Sequence, residues 1–473
     1  MAAHPPALRT KITGVCPPAI AYALADLVRR QPATGWLVIH EEAQQADALL
    51  EDLALFIRSS QPAVNPTILN FPEAQTDHRK TRDAFNAASD RLAVLSQLRR
   101  PPTADHQLIV LATPAALLQA VPPLADFAER ETVLRPGNDQ PFAALLKLLD
   151  AFDYDAEAIC EAPGQYAVRG GIVDVYPITA HQPYRLDYFG DQLEAIRELD
   201  PVSQRSGAAV AAITLTAAPK IATAGSTASL LDYLGPTTQV ICVEPKSLEE
   251  LFDTLAPATD SMSKPDEPSL TGPPAHDAAT VLTPSFLAKL PLACAHLFGL
   301  SDLDLASQLF DQATQEETWN TESLVHHRSY PEERLLASTR LQVEEDGRRQ
   351  FLEQLAGWQG SGFQLDFVLS KEGEEQRVRE LLDEHAPLKT MKPRYLRGAL
   401  NEGFRITFRP DRADLRGQSE VVASPSGRSL ERSAGSRGLV VVSETEIFGR
   451  RRQRRSAPQR VIAGQSAVDQ LLD

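Results

Sequence analysis

The sequence predicts an α/β protein built from a doubly wound parallel-sheet domain, an α+β module inserted into it, and a third, smaller α/β unit. Three observations predict this. Short apolar runs alternate with helix-spaced stretches over residues 12–118, as in α/β units. Over residues 166–199 the period changes to two, punctuated by turn signals, and a second alternation restarts at Phe363 after a charged helical segment. The 473 residues leave room for about three domains.

The elements follow in order. Residues 36–39 (WLVI) read as a buried strand, and the helix expected over 43–56 carries Ala46, Leu49, Leu50 and Leu53 at helical spacing. A strand at 67–71, a helix at 83–98 and a strand at 108–112 (LIVLA) continue the doubly wound pattern. A helix over 145–152 introduces the meander. In it, Ala162-Pro163-Gly164 sets Pro and Gly at the centre of a type II turn, and Gly190-Asp191 reads as a hairpin loop. Further short strands are expected at 238–243 and 279–282, on either side of a Pro-, Asp- and Ser-rich solvated loop at 256–278. The third unit follows the helical segment at 331–358. Phe363, Leu365, Phe367 and Leu369 alternate as a strand, 374–384 reads as a helix, and strands at 404–408 and 439–443 flank a loop at 411–437. No internal repeat of fixed period occurs.

Composition excludes several classes. With 43% hydrophobic and 23% charged residues the chain can bury ordinary cores. The first residues lack an apolar leader core and no 18-residue uncharged apolar run occurs, so the expectation is a soluble cytoplasmic protein with no membrane contact. Cys16, Cys160, Cys242 and Cys294 form no CxxC pair and read as buried, reduced thiols; no metal site and no cofactor are expected. Lys plus Arg number 47 and Asp plus Glu 63, a net charge of −16, which opposes phosphate binding over most of the surface. Any nucleic-acid contact must be local. The basic run Arg450, Arg451, Arg452, Arg454 and Arg455 is read either as such a contact or as a solvated linker.

Catalytic motifs are missing. The phosphate loop of a doubly wound domain should follow its first strand, at Ile12-Thr13-Gly14-Val15-Cys16-Pro17-Pro18-Ala19-Ile20. Two prolines there remove N–H donors, no Lys-Ser or Lys-Thr follows, and the chain has no Gly-Lys dipeptide. The domain is therefore read as a degenerate P-loop-NTPase-like layer, with no enzyme activity and no catalytic residue in this chain. Asp383-Glu384-His385 stands at a helix end rather than a strand end, and reads as a solvated terminus. His326-His327 cannot form an i, i+4 metal pair and read as surface residues.

The informative stretch is EAPGQYAVRGGIVDVYP (161–177), then PYRLDYFGD (183–191), Ile196-Arg197 and DPVSQRS (200–206). On the strand at 184–189 a period of two sets Tyr184, Leu186 and Tyr188 on one face and Arg185, Asp187 and Phe189 on the other. Two readings stand: an exposed Phe flanked by Arg as an interface hot spot, or Phe189 in the core with Arg185 and Asp187 as a surface pair.

This string resembles the UvrB-homology module shared by bacterial transcription-repair coupling factors and the excinuclease protein UvrB. Ser443-Glu444-Thr445-Glu446-Ile447-Phe448-Gly449-Arg450 is similar to the end of the coupling factor's third domain, and Arg91-Leu92-Ala93-Val94-Leu95 adds weaker similarity. UvrB itself differs: it has an intact Walker A loop and a DNA-threading hairpin that residues 70–92 are too short to hold. The resemblance implies a module that recruits UvrA, with the family's contact residues falling on Arg169, Arg185 and Phe189. It implies the adaptor part of a nucleotide excision repair and transcription-coupled repair factor, reaching RNA polymerase and DNA only indirectly, through motor domains absent here. The sequence is then a fragment or a split protein. The alternatives are an ATP-dependent DNA translocase or helicase subunit, or a truncated protein of the UvrB excinuclease type. The expected units are 1–140 and 207–340 for the interrupted first domain, 141–206 for the UvrB-interaction-type module, 341–455 for the third domain and 456–473 for a linker.

Overall fold

The computed structural model describes residues 7–31, 35–59, 66–74, 81–100, 107–137, 140–218, 228–255, 286–330, 337–384, 388–389, 393–408 and 437–449. The expected loop at 256–278, the strand at 279–282, nearly all of the loop at 411–437, the basic run Arg450–Arg455 and the linker at 456–473 lie outside the described residues.

Seven strands form one sheet in the order Gln315–Thr318, Leu8–Thr13, His296–Leu300, Gln239–Val243, Gly35–Ile39, Leu108–Ala112 and Thr67–Phe71. Every neighbouring pair is parallel. Alternate side chains leave on opposite faces, and both faces are covered. Leu37, Ile39, Val110, Val240 and Leu297 pack with Leu92 and Leu95 of the helix Thr81–Leu98 and Leu248 of the helix Pro245–Leu255. Trp36, Val38, Ile109, Leu111 and Ile241 pack with Leu24 and Leu27 of the helix Ile20–Arg30 and Leu53 and Phe56 of the helix Ala43–Ser59. Burial on two sides explains why WLVI and LIVLA are continuous apolar runs instead of alternating ones. Residues before 113 and after 238 thus share a single sheet that the module interrupts.

The module is a six-stranded sheet in the order Ser206–Ala209, Gln192–Leu199, Tyr184–Phe189, Ile172–Val175, Gln165–Arg169 and Asp155–Ala156. It is antiparallel except for its last pair. A two-stranded ribbon, Glu131–Leu134 with Ile213–Thr216, carries the chain in and out. Val173, Val175, Leu186, Leu193 and Ile196 face inward with Leu145 and Leu149 of the helix Phe142–Ala151, and join the core under the parallel sheet. One core therefore docks the module. On its other face Ala167 and Asp174 are buried, while Arg169 and Phe189 are exposed.

The third sheet runs Thr321–Ser323, Phe404–Thr407, Gly438–Ser443, Phe363–Leu369 and Arg394–Arg397. The helices Ala337–Gly360 and Glu372–Glu384 cover one face with Phe351, Leu355, Val378 and Leu382. On the other face Val368, Phe404, Ile406 and Val441 merge with the core of the first sheet, where the Tyr22, Phe56 and Phe404 rings meet at 5.5 to 5.8 Å. The strand Thr321–Ser323 belongs to this sheet although the span 207–340 sets it with the first domain. It pairs antiparallel with Phe404–Thr407, a partner some eighty positions away that no local pattern announces. His327 also departs from the surface reading: its ring is half-buried, stands edge-on to Trp358 at 5.0 Å, and its Nε2 lies 2.8 Å from Glu322.

Candidate functional site

Three tight turns shape the module. The Gln165 N–H donates to the Ala162 carbonyl at 3.2 Å, and Gly164 takes φ +84°, which closes the type II turn read from the sequence. Gly170 at φ +63° turns the chain between Arg169 and Ile172, and Gly190 at φ +61° turns it between Phe189 and Gln192. A Cβ on Gly171 would stand 2.8 Å from the Tyr188 carbonyl oxygen, so the turn between Arg169 and Ile172 also needs a residue without one there. Both hairpin tips lie at the same end of the sheet, and Arg169 and Phe189 are the last strand residues before them.

Register then decides the faces. Arg169 pairs with Ile172 and Ile172 with Asp187; Asp174 pairs with Arg185 and Arg185 with Arg197. Arg169, Asp174, Arg185, Asp187 and Phe189 therefore share the outer face, while Leu186 and Tyr188 are buried on the inner one. Phe189 is 78% exposed, which excludes the reading that places it in the core. Arg169 is exposed as well, with one Nη2 donor bonded to the Ala158 carbonyl at 3.0 Å.

Arg185 differs from these two. Its Nε and Nη2 donate to the two carboxylate oxygens of Asp174 at 2.6 and 2.8 Å, and its Nη1 donates to Ser206 Oγ at 3.2 Å. Those bonds to Asp174 hold the guanidinium's pKa above its usual value. The pair that the structure forms is thus Arg185–Asp174, and Asp187 instead faces Arg197 at 3.5 Å. Asp174 is the residue that sequence reasoning missed. The signal available was one acid in an otherwise apolar strand, Ile172–Val175, which a buried position tolerates only with a charged partner.

The loop after the first strand, read from the sequence as a degenerate phosphate loop, is a closed one. The N–H groups of Gly14 and Val15 donate to the carbonyls of Asp302 and Ser301 at 3.0 and 3.1 Å, and that of Cys16 to Thr321 Oγ1 at 2.7 Å. Pro17 and Pro18 have none, while Ala19 and Ile20 donate back to Cys16 and Pro17. The donors that would surround a phosphate are already bonded to protein. Among the described residues no group of His, Cys, Asp and Glu is arranged to hold a metal ion, and no helix is long and apolar enough to cross a membrane. All four cysteines are buried and unpaired, with burial raising each thiol pKa.

Residues 133–220 match the UvrB interaction domain family, a span wider than 141–206 that takes in the end of the ribbon strand Glu131–Leu134 and all of Ile213–Thr216. The chain is similar to the transcription-repair-coupling factor of Escherichia coli, at 33% identity over 206 residues, which is 43% of this chain and 17% of that protein. It is also similar to those of Myxococcus xanthus, 30% over 186 residues (39% of this chain, 15% of the relative), and Bacillus subtilis, 30% over 118 residues (25% and 10%). The matches thus span between 10 and 17% of these relatives' length.

Proposed function

Because the chain carries a UvrB interaction domain in a region similar to the N-terminal portion of transcription-repair-coupling factors, we propose that it is an adaptor that recruits UvrA, the damage-recognition protein of nucleotide excision repair, to sites of stalled RNA polymerase. One observation carries this reading. Phe189 stands 78% exposed at a hairpin tip, on a polar face with the exposed Arg169 at the neighbouring tip. A large apolar ring held in water by rigid turns, next to an Arg, has the composition of a docking hot spot.

The adaptor works without an ATPase of its own. Supporting this are the absence of a Gly-Lys dipeptide from the sequence and the prior engagement of the N–H groups in the loop at 14–20. The parallel sheet is in this reading a nucleotide-binding-like layer that retains the architecture and has lost the phosphate site. Contact with RNA polymerase and DNA would be indirect, through motor domains.

The test is a titration of the purified chain with UvrA from the same organism, in parallel with an Arg169→Ala/Phe189→Ala double variant. Saturable binding that the variant loses is the expected result. Equal binding by both chains would refute the assignment of this face, and DNA-stimulated ATP turnover by the chain alone would favour a translocase subunit.

A further inference from the structure

Arg185 directs its hydrogen bonds inward. Three of its donors are bonded to Asp174 and Ser206, its side chain is 16% exposed, and Asp174 is 1% exposed. A guanidinium in that position presents little of itself to a partner. The ladders around it supply a reason for the arrangement. The pairing of Tyr184–Phe189 with Gln192–Leu199 shifts register between Leu193 and Ala195, close to Phe189, and the pairing of Gln192–Leu199 with Ser206–Ala209 shifts between Arg197 and Leu199. On the other side, Ile172–Val175 pairs with Tyr184–Phe189 in unbroken register. The strand that carries Phe189 thus has one regular neighbour and one irregular neighbour, and an irregular ladder lets a strand bend and twist. Asp174 ties that strand to the regular side. The Ser206 bond reaches across the irregular one.

We propose that Asp174 is a positioning residue for docking and that Arg185 acts through it: the bidentate pair clamps two strands, with the Ser206 bond reaching a third, into the face from which Arg169 and Phe189 make contact. This rests on the reading that the outer face recruits UvrA. It changes the role of Arg185 from a contact to a support, and adds a residue that the resemblance does not assign.

The two roles give opposite outcomes when Asp174 is removed. A contacting Arg185 is freed by Asp174→Ala, and binding is kept or strengthened. A clamping Arg185 is disabled by it. The experiment measures UvrA binding by the whole chain across a salt series for Asp174→Ala, Arg185→Ala, the double alanine variant and Asp174→Val/Arg185→Met, with thermal unfolding of each. Arg169→Ala and Phe189→Ala are the contact controls. The expected result is that either single alanine at the pair weakens binding about tenfold and that the double weakens it no further, since the pair acts as one unit. The salt dependence stays that of the unmodified chain, whereas Arg169→Ala flattens it. Val with Met, an apolar pair of comparable volume, restores binding. Asp174→Ala binding as tightly as the unmodified chain overturns the proposal. So does a folded Val/Met variant as weak as Arg185→Ala. Loss of binding in Phe189→Ala with retention in Asp174→Ala overturns the clamp alone. No UvrA binding by the unmodified chain overturns the recruitment reading and the clamp together.

Discussion

Replacing Phe189 by Ala should separate stability from binding. The ring is 78% exposed in the folded chain, so folding removes only a small part of it from water. With about 200 Å² on a Phe side chain and about 25 cal/mol per Å², that part is worth on the order of 1 kcal/mol at most. Docking would bury the remainder, a gross gain of roughly 4 kcal/mol by the same arithmetic, reduced to about 1–3 kcal/mol once the ordering of the interface is counted. The expected outcome is a melting temperature within about two degrees of the unmodified chain's, with the Kd for UvrA raised by roughly 5- to 150-fold. Calorimetric titration supplies the affinity and a thermal scan the stability. A drop of many degrees would mean that the ring packs within the chain, and an unchanged Kd would mean that the exposed ring is not where UvrA docks. Either result refutes the reasoning.

Other outcomes follow from buried parts of the fold. Gly14 adopts φ +75°, and a Cβ there would fall 2.2 Å from the Trp319 carbonyl oxygen, so Gly14→Ala should destabilise the chain by about 3 kcal/mol in denaturant titration. Arg328 is fully buried, with Nε bonded to the Glu446 carbonyl at 2.9 Å and an ion pair to Glu344, and Arg328→Ala should cost about 3–5 kcal/mol by leaving those acceptors unpaired; a loss below about 1 kcal/mol would contradict this account. Burial lowers the His40 imidazole to about 4, so below about pH 6.5 the unfolded chain takes up a proton that the folded chain resists. Its contribution to stability, up to about 3 kcal/mol, is complete above pH 6.5 and is lost as the pH falls toward 4. His40→Leu should lose less stability over that interval, and parallel curves for the two chains would show that His40 does not titrate this way.

Much of the fold was legible in local pattern. Continuous apolar runs marked the central parallel strands, because a strand buried on both sides has no polar face to show. Alternation over 184–189 assigned Phe189 and Arg185 to the face opposite Leu186, and Pro-Gly and Gly-Asp located two turns, since these signals act within a few residues. Element ends moved slightly: the helix expected over 145–152 spans Phe142–Ala151, and that expected over 374–384 begins at Glu372. Several strands escaped notice, among them the buried His296–Leu300, Ile213–Thr216, Arg394–Arg397, Gln315–Thr318 and Ser206–Ala209. Gln315–Thr318 is a polar edge strand and Ser206–Ala209 an exposed one made of small residues, so neither carries the apolar period that marks a buried strand.

The sequence by itself determined that Phe189 lies on the strand face opposite Leu186 and Tyr188, the turns on either side of that strand's hairpins and the lack of a lysine in the loop after the first strand, because each is written in residues within one turn or one strand. Tertiary structure decided what those residues face. It set Asp174 against Arg185 through the register of two strands, bonded the N–H groups of residues 14–16 to Asp302, Ser301 and Thr321, and fused the third sheet to the core of the first. Such pairings depend on where the chain returns after tens or hundreds of residues, and a side-chain period of two or 3.6 carries no information about that return.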